Sequence, residues 1–230
     1  MKLAVIPARG GSKRIPRKNI RDFCGKPIIA YSIDIALQSG LFDRVMVSTD
    51  DAEIAEVAEA CGADIPFLRP AELADDFTGT NAIARHAIEW HHEHGQHVDY
   101  ACCLYATAPL LQTGDLQRGF EQLRQQQADF AFAITHYDFP IQRALRQCED
   151  QRVTAFDPHA MSSRSQDLEE AWHDAGQFYW GRAQAFLDEL PMMNGNAIGI
   201  PVPRYRVQDI DTEEDWRQAE LMFQALARAD

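Results

Sequence analysis

The sequence predicts an α/β fold in which helices cover both faces of a mainly parallel sheet. Short apolar runs alternate with amphipathic helical segments along most of the 230 residues, which is the pattern of repeated strand and helix units. The run at residues 100–105 is apolar throughout, as expected for a strand buried on both faces of a parallel sheet. A hydrophobic content of 46% is enough to fill the core of one domain of this length.

In the first half of the chain, breaker residues separate the predicted elements. Pro7 closes the first apolar run, and Ser39-Gly40 ends the first helical segment. Gly62 stops a helix that carries acidic residues in its first turn, where the helix dipole favours them. The predicted strands here are residues 3–6, 44–48, 64–67 and 100–105, and the predicted helices are residues 27–37, 51–61 and 80–94.

The second half continues the alternation after an interruption. Thr113 can cap a helix, an apolar strand follows it, and the chain closes with an amphipathic helix. The predicted helices are residues 113–126, 181–190 and about 213–228, and the predicted strands are residues 130–135 and about 197–207.

Between about residues 136 and 174 the alternation breaks. This segment is polar, contains Pro140, Pro158 and several arginines, and lacks helical periodicity. We interpret it as an arm inserted into a single domain that spans residues 1–230.

The distribution of charge limits the classes of ligand. A net charge of −13 repels polyanions and argues against general nucleic-acid binding. Residues 1–26 nevertheless hold eight basic residues against one acidic residue, a local charge of +7. Such a concentration of positive charge in an acidic protein predicts a small anionic ligand held at one place, and a solvated basic turn is the alternative.

Two further observations concern location. No stretch approaches the roughly 18 apolar residues that a membrane span needs, and the first apolar run is too short for a signal peptide. The five cysteines lack C-x-x-C spacing, which favours reduced structural thiols. We therefore expect a cytoplasmic protein without a membrane partner.

The loop after the first predicted strand carries most of the positive charge. It lacks both the G-x-x-x-x-G-K-[ST] and the G-x-G-x-x-G patterns. Its two glycines allow backbone N–H groups to approach an anion, and Arg9, Lys13 and Lys18 can reach phosphate oxygens. Because glycines, cations and a preceding strand coincide, the loop predicts a triphosphate site at the edge of the sheet where open α/β folds bind ligands.

This loop, IPARGGSKRIPRKN, resembles the amino-terminal signature of the CMP-sialic acid synthetase family, whose members activate acidic keto-sugars with CTP. The resemblance covers nearly the whole chain and implies a Rossmann-like fold of the nucleotide-diphospho-sugar transferase kind. It recurs at residues 47–51, 67–70 and 207–216, and the segments 163–167 and 173–180 are similar to the branch that activates pseudaminic acid.

The resemblance implies which residues hold the nucleotide. Arg9 and Lys18 would offset the charge of the triphosphate, and Arg69 and Thr80 match positions that contact the cytidine. For Arg69 and Thr80 the alternatives are a loop ion pair and a helix cap. The residues implied for CTP are Ala8, Arg9, Gly10, Gly11, Ser12, Lys18, Asn19, Arg69 and Thr80.

Asp209 and Asp211 are the candidate metal ligands. They lie two residues apart in a segment that is expected to be extended, where side chains at i and i+2 point the same way. Two converging carboxylates suit Mg²⁺, with Mn²⁺ as an alternative, and the pair matches the family's metal-binding acids. The competing interpretation is helix capping, because Thr212 and Asp215 have the spacing of a capping box.

The arm is expected to supply the site for the sugar. Arg164 can present two parallel donors to a sugar carboxylate. Gln166, Asp174, Gln177 and Tyr179 could bind hydroxyl and acylamino groups, or they could tie down the arm by hydrogen bonds of their own. Tyr105 joins this set, at a position where the sialic branch often has glutamine, and Ala106 stands where relatives usually have proline. By the same resemblance the arm would also mediate homodimerisation.

By this resemblance, the expected reaction is transfer of CMP from CTP to the anomeric hydroxyl of pseudaminic acid, with release of pyrophosphate and with Arg9, Lys18 and Asp211 as the catalytic residues. The same reaction on sialic, legionaminic or 3-deoxy-octulosonic acid is one alternative. A nucleotide-binding protein without catalytic activity is another.

Overall fold

The computed structural model describes residues 1–75 and 78–228, and within them ten strands and six α-helices. The strands are β1 (Lys2–Pro7), β2 (Asp22–Phe23), β3 (Lys26–Pro27), β4 (Arg44–Ser48), β5 (Tyr100–Leu104), β6 (Phe130–His136), β7 (Leu145–Gln147), β8 (Val153–Ala155), β9 (Trp172–Arg182) and β10 (Ala197–Pro201). The helices are α1 (Ile28–Gln38), α2 (Ala52–Ala60), α3 (Thr80–Glu93), α4 (Thr113–Gln125), α5 (Ala183–Leu187) and α6 (Glu213–Leu226).

Six strands form the central sheet in the order β10-β6-β9-β5-β1-β4. Strand β1 pairs in parallel with β4 and β5, and β10 pairs in parallel with β6. Strand β9 lies between β5 and β6 and is antiparallel to both. The prediction of a mainly parallel sheet is confirmed, with one antiparallel strand near its centre.

Alternate residues of β1 pack into separate cores, one on each face of the sheet. Ala4 and Ile6 pack with residues of α1, α2 and α4, whereas Leu3 and Val5 pack with residues of α3 and α5. This follows from the two-residue period of a strand, whose successive side chains point to opposite faces. The predicted cover of helices on both faces is therefore present. Among the described residues, no helix is both long and apolar enough to cross a membrane.

Three predicted elements need correction. The strand expected at residues 64–67 is reduced to a single bridge from Asp64 to Met46, because Pro66 has no N–H to continue a ladder. The strand expected at about 197–207 ends at Pro201. The helix expected at 181–190 is shortened to α5, because Gly181 and Arg182 complete β9.

Strand β9 itself was not predicted, and its first residues were assigned to the arm. Its sequence, WHDAGQFYWGR, mixes polar residues and glycines with aromatics, so it lacks the continuous apolar run of the other central strands. The register of its pairing with β6 also shifts between Phe132 and Ile134. Hydrogen bonding to β5 on one side and to β6 on the other makes this irregular segment a strand, and such pairing cannot be predicted from the local sequence.

Helix starts explain two other differences. Gln112 occupies the N-cap position of α4, so Thr113 is the first helical residue rather than the cap that was expected. Gly79 occupies the N-cap position of α3, so the alternative interpretation of Thr80 as a helix cap is wrong. The capping box of Thr212 and Asp215 at α6 is confirmed.

The residues after β4 bind the loop that follows β1, which we call the cationic loop (residues 8–19), to the edge of the sheet. Asp50 Oδ1 accepts a hydrogen bond from the Gly10 backbone N–H at 3.0 Å. Asp51 accepts two hydrogen bonds from the Arg17 guanidinium, at 2.5 and 3.0 Å, and also caps α2 by accepting from the Ile54 N–H. A Cβ at Gly10 would lie 2.6 Å from Asp51 Oδ2, so this close approach requires glycine. The two aspartates thus hold both ends of the loop.

The ion pair of Asp51 and Arg17 leads us to predict how the stability of the protein depends on pH. Hydrogen bonds from Arg17 lower the pKa of Asp51 to about 2, so its stabilising effect is complete above about pH 4 and is lost as pH falls through about 2. Because both side chains are partly exposed, we expect Asp51→Asn, which can still cap α2, to lower the free energy of unfolding at pH 7 by about 1–2 kcal/mol.

Urea unfolding at a series of pH values measures this difference, which should narrow between about pH 4 and 2. Glu53→Gln is the control, because Glu53 also contacts Arg17 but is exposed, and it should change stability by less than about 0.5 kcal/mol. A constant difference between Asp51→Asn and the parent protein down to pH 2 would contradict the assignment.

Candidate active site

Two clefts lie at the carboxyl edge of the parallel strands. The first has a volume of about 670 Å³ and adjoins the loop after β1, and we call it the cationic cleft. The second has a volume of about 1310 Å³ and lies between the sheet, the segment 137–165 and α6, and we call it the arm cleft. Tyr105 and Asp209 line both clefts. The two spaces therefore meet at these side chains.

The cationic cleft collects most of the residues expected to bind a nucleotide. Those that line it are Arg9, Ser12, Lys18, Asn19, Arg69 and Thr80. Ala8, Gly10 and Gly11 belong to the same loop but do not line the cleft. Lys13 and Arg14 add two further cations to its wall. The structure thus brings residues from the first loop, from the segment after β4 and from α3 to one place.

Arg69 is the most unusual group in this cleft. Its side chain is only 2% exposed, and its nearest carboxylate, Asp50 Oδ1, lies 3.7 Å from Nη2. Its Nε and Nη2 atoms have no hydrogen-bond partner among the described residues. Burial lowers the pKa of Arg69, and the charge of the nearby Asp50 carboxylate opposes this effect. Because buried donors are almost always satisfied in folded proteins, this guanidinium indicates an acceptor supplied by a ligand.

Thr80 and Tyr105 form the inner wall of the cleft. Their hydroxyl oxygens lie 3.3 Å apart, and the Tyr105 backbone is fixed by a hydrogen bond from its N–H to the Gln177 carbonyl. Burial raises the pKa of Tyr105, so its hydroxyl stays protonated and can donate.

Asp209 and Asp211 both reach the cationic cleft. They lie in a segment that has no strand pairing. Asp211 Oδ1 pairs with Arg14 Nη2 at 2.7 Å and with Lys18 Nζ at 3.6 Å. Lys18 also donates to the Ile210 carbonyl at 2.7 Å, which ties the first loop to this segment.

The carboxylate of Asp209 has no hydrogen bond or ion pair within residues 1–75 and 78–228. The crowding of protein atoms around it and the charge of Asp211 raise its pKa, although the residue remains accessible to solvent. A divalent cation would relieve this repulsion, and carboxylate oxygens are suitable ligands for Mg²⁺. In the described part of the chain no third acid, histidine or cysteine joins them. A cation here would therefore complete its coordination with water or with ligand phosphates, as Mg²⁺ commonly does.

The arm cleft contains a connected set of polar side chains. Tyr179 donates a hydrogen bond to Asp174 Oδ2 at 2.7 Å, and the rings of Tyr105 and Tyr179 lie 5.2 Å apart. Burial strongly raises the pKa of Tyr179, so this phenol remains a donor at any ordinary pH. Of the residues expected to bind a sugar, Tyr105, Asp174 and Tyr179 are brought together at one wall.

The other three residues expected to bind a sugar lie elsewhere. Arg164 is 73% exposed and pairs with Asp167 at 2.7 Å, and neither Arg164 nor Gln166 lines the cleft. Gln177 is 3% exposed, lines neither cleft, and donates to the Arg206 carbonyl at 2.6 Å.

Sequence reasoning missed several residues that the fold places at or near the clefts. Arg143 and Arg204 line the arm cleft, and the buried pair of Arg206 and Asp115 lies behind it. The arginines of the segment 136–174 were the only available signal. Arg206 and Asp115 are 91 residues apart, and no local pattern connects them.

Comparison with known proteins agrees with this geometry. A family model described as cytidylyltransferase matches residues 3–190. The chain is 48% identical over 221 residues to the pseudaminic acid cytidylyltransferase of Campylobacter jejuni, covering 96% of this chain and 95% of that protein. It is 33% identical to N-acylneuraminate cytidylyltransferase A of Danio rerio, covering 94% of this chain and 49% of that protein.

The fold is also shared with solved structures. A CMP:2-keto-3-deoxy-manno-octonic acid synthetase, solved in complex with CTP, superimposes with a TM-score of 0.71 at 21% identity and covers 100% of this chain and 99% of that one. This likeness supports the architecture, and the match of the family model decides the assignment. With a family model over most of its length and a cationic cleft at the carboxyl edge of its sheet, the chain belongs to the cytidylyltransferase family.

Proposed function

We propose that this enzyme transfers CMP from CTP to the anomeric hydroxyl of pseudaminic acid and releases pyrophosphate. Binding of a nucleotide is proposed from the buried Arg69 guanidinium. It lines the cationic cleft, and two of its nitrogen donors have no hydrogen-bond partner among the described residues. The sugar is proposed from the 48% identity to an enzyme named for pseudaminic acid over nearly the whole of both chains. We expect the reaction to take place in the cytoplasm.

The proposed binding mode places the nucleotide in the cationic cleft. Arg69 and Thr80 would contact the cytidine at the inner end of the cleft. Arg9 and Lys18 would face the phosphates, together with the hydroxyl of Ser12. These cations would offset the negative charge of a triphosphate, which the rest of an acidic surface repels.

The sugar would lie in the arm cleft. Tyr105 and Tyr179 are donors there, and Asp174 is an acceptor for sugar hydroxyl groups. Because Tyr105 and Asp209 border both clefts, a sugar in the arm cleft would lie next to the α-phosphate. This proximity would allow in-line attack without a covalent enzyme intermediate.

The chemical step is a single displacement. The anomeric oxygen forms a bond to the α-phosphorus and loses its proton to solvent water, while the bond from the α-phosphorus to the oxygen of the departing pyrophosphate breaks. Arg9 and Lys18 would stabilise the charge that develops on pyrophosphate.

Asp209 and Asp211 would hold Mg²⁺, or Mn²⁺, whose charge neutralises phosphate oxygens when it is bound. Asp211 also pairs with Arg14 and Lys18, so the acids and the cations of the first loop lie side by side in the cleft.

The function is tested by pyrophosphate release from CTP and Mg²⁺ with different sugars offered separately. The panel is pseudaminic, N-acetylneuraminic, legionaminic and 3-deoxy-octulosonic acids. We expect the highest kcat/KM with pseudaminic acid. A higher kcat/KM with another sugar would overturn the substrate assignment, and no release with any of the four would overturn the proposed activity.

Asp211 provides a test of the metal site. We expect Asp211→Asn to lower kcat by roughly 100-fold or more, because charge stabilisation at the phosphates is lost. The fold should be kept, since the Asp211 carboxylate is partly exposed and, among the described residues, forms ion pairs with Arg14 and Lys18 of the cleft and with no others. Glu213→Gln is the matched control, because Glu213 is two residues away but pairs with Arg21 on the surface. Full activity of Asp211→Asn would refute the proposed role.

The segment 137–171 is proposed to form an interface with a second copy of the chain. Its hairpin β7–β8 carries exposed apolar residues outside the main core, including Leu145, Val153 and Phe156, and Phe139 nearby is 82% exposed. An apolar cluster of this kind is typical of a surface that associates with a partner. The substrates of this family are small molecules, so another copy of the chain is the occupant that we propose.

Light scattering tests this interface. We expect the parent protein to have the mass of a dimer, and the double variant Leu145→Asp and Val153→Asp to have the mass of a monomer, because buried charges oppose association. Leu221→Asp, at an exposed apolar position on α6, should leave the mass unchanged. A parent protein with the mass of a monomer would refute the proposal.

A further inference from the structure

A buried ion pair lies behind the two clefts. The Arg206 guanidinium donates to both oxygens of Asp115, at 2.5 Å from Nη1 to Oδ2 and 3.1 Å from Nη2 to Oδ1. The side chains are 7% and 1% exposed. Burying two charges costs several kcal/mol in desolvation, and hydrophobic residues of similar volume often stabilise a core as well or better. Asp115 also accepts hydrogen bonds from Arg118 and from the Gln112 N–H, so it helps to cap α4. What remains to be explained is why a buried arginine is held there at residue 206.

The position of Arg206 offers that explanation. It ends a short 3-10 turn and precedes Asp209 by three residues. On the other side of Asp211, the capping box of Thr212 and Asp215 begins α6. The segment that carries the two acids has no strand pairing. Its backbone is held by these two anchor points, by the buried side chain of Ile210 and by the hydrogen bond from Lys18 to the Ile210 carbonyl.

Gln177 connects this anchor to the wall of the arm cleft. Its side-chain amide donates to the Arg206 carbonyl at 2.6 Å, whereas its own oxygen Oε1 is buried without a hydrogen-bond partner. It lies on β9, between Asp174 and Tyr179, which face the arm cleft. One strand thus presents side chains to the cleft and, through Gln177, holds the start of the segment that carries the acids.

We infer that Asp115, Arg206 and Gln177 are positioning residues that hold Asp209 and Asp211 in place relative to Asp174 and Tyr179. None of the three lines either cleft, so they do not touch the substrates. They act through the backbone of residues 206–211. This inference rests on the proposed function, and it replaces the expectation that Gln177 binds the sugar directly.

Two variants test the inference. Gln177→Met removes the donor to Arg206 and the unpartnered oxygen at little change in size. Arg206→Lys keeps a positive charge near Asp115 but cannot make the paired hydrogen bonds of a guanidinium. Because supporting residues of this kind typically contribute about 10- to 100-fold to metal affinity or activity, we expect each variant to lower kcat and to weaken Mn²⁺ binding within that range.

Mn²⁺ binding in the presence of CTP is measured by electron paramagnetic resonance, which does not depend on turnover. Mg²⁺-dependent pyrophosphate release gives kcat and the KM for the sugar. Arg182→Lys is the matched control, because it alters an arginine pair with Asp129 at the opposite edge of the sheet. It should leave Mn²⁺ affinity and kcat unchanged, and thermal unfolding shows whether each variant is folded.

The outcomes separate three interpretations. Weaker Mn²⁺ binding and lower kcat in folded variants support a positioning role. A raised KM for the sugar with unchanged kcat and Mn²⁺ affinity in Gln177→Met would overturn it in favour of direct sugar binding. Lower thermal stability with unchanged Mn²⁺ affinity and unchanged kcat would overturn it in favour of a purely structural role. Absence of Mg²⁺-dependent release by the parent protein would instead refute the proposed function itself.

Discussion

The pairing of β9 with β5 on one side and β6 on the other is the constraint on which the structure depends. It joins the parallel group β5-β1-β4 to the parallel pair β10-β6, and within the described residues no other strand bridges them. The fit is close, because a Cβ at Gly181 would lie within 3 Å of the rings of both Phe186 and Phe130. Such contacts leave little freedom for the strand to shift.

The same strand supplies both the core and the site. Phe178 and Trp180 are buried against the helices on one face, while Tyr179 reaches the arm cleft on the other, as the alternation of a strand requires. Gln177, on the same strand, donates from its side-chain amide to the Arg206 carbonyl. An error in the register of β9 would therefore disturb the core, the arm cleft and the support of Asp209 together.

Electrostatics explains how an acidic protein keeps a cationic site. Asp50 accepts a hydrogen bond from the backbone of the cationic loop, and Asp51 pairs with Arg17 of that loop. Asp211 pairs with Arg14. The loop is thus held by acids that follow β4 and precede α6. Arg69, at the inner end of the cleft, pairs with Asp50 at 3.7 Å, and its Nε and Nη2 make no hydrogen bond to the described residues.

The sequence by itself determined the parts of this protein that depend on local order. Apolar runs specified β1, β4, β5 and β6, since a strand buried on both faces must be apolar along its length. The glycines and cations of the first loop, and the spacing of Asp209 and Asp211, marked the region that became the cationic cleft. The capping box at α6 was also readable, because a cap involves residues only three apart.

Only the tertiary structure decided the rest. Strand β9 pairs with two strands that are distant in sequence, and the polar residues and glycines among its aromatics interrupt the apolar pattern by which the other central strands were predicted. The burial of Gln177 and the pairing of Arg206 with Asp115 depend on that placement. Local sequence determines which residues can form an element or bind an anion. Contacts between residues far apart in the chain decide which of them face the ligand and which support it from behind.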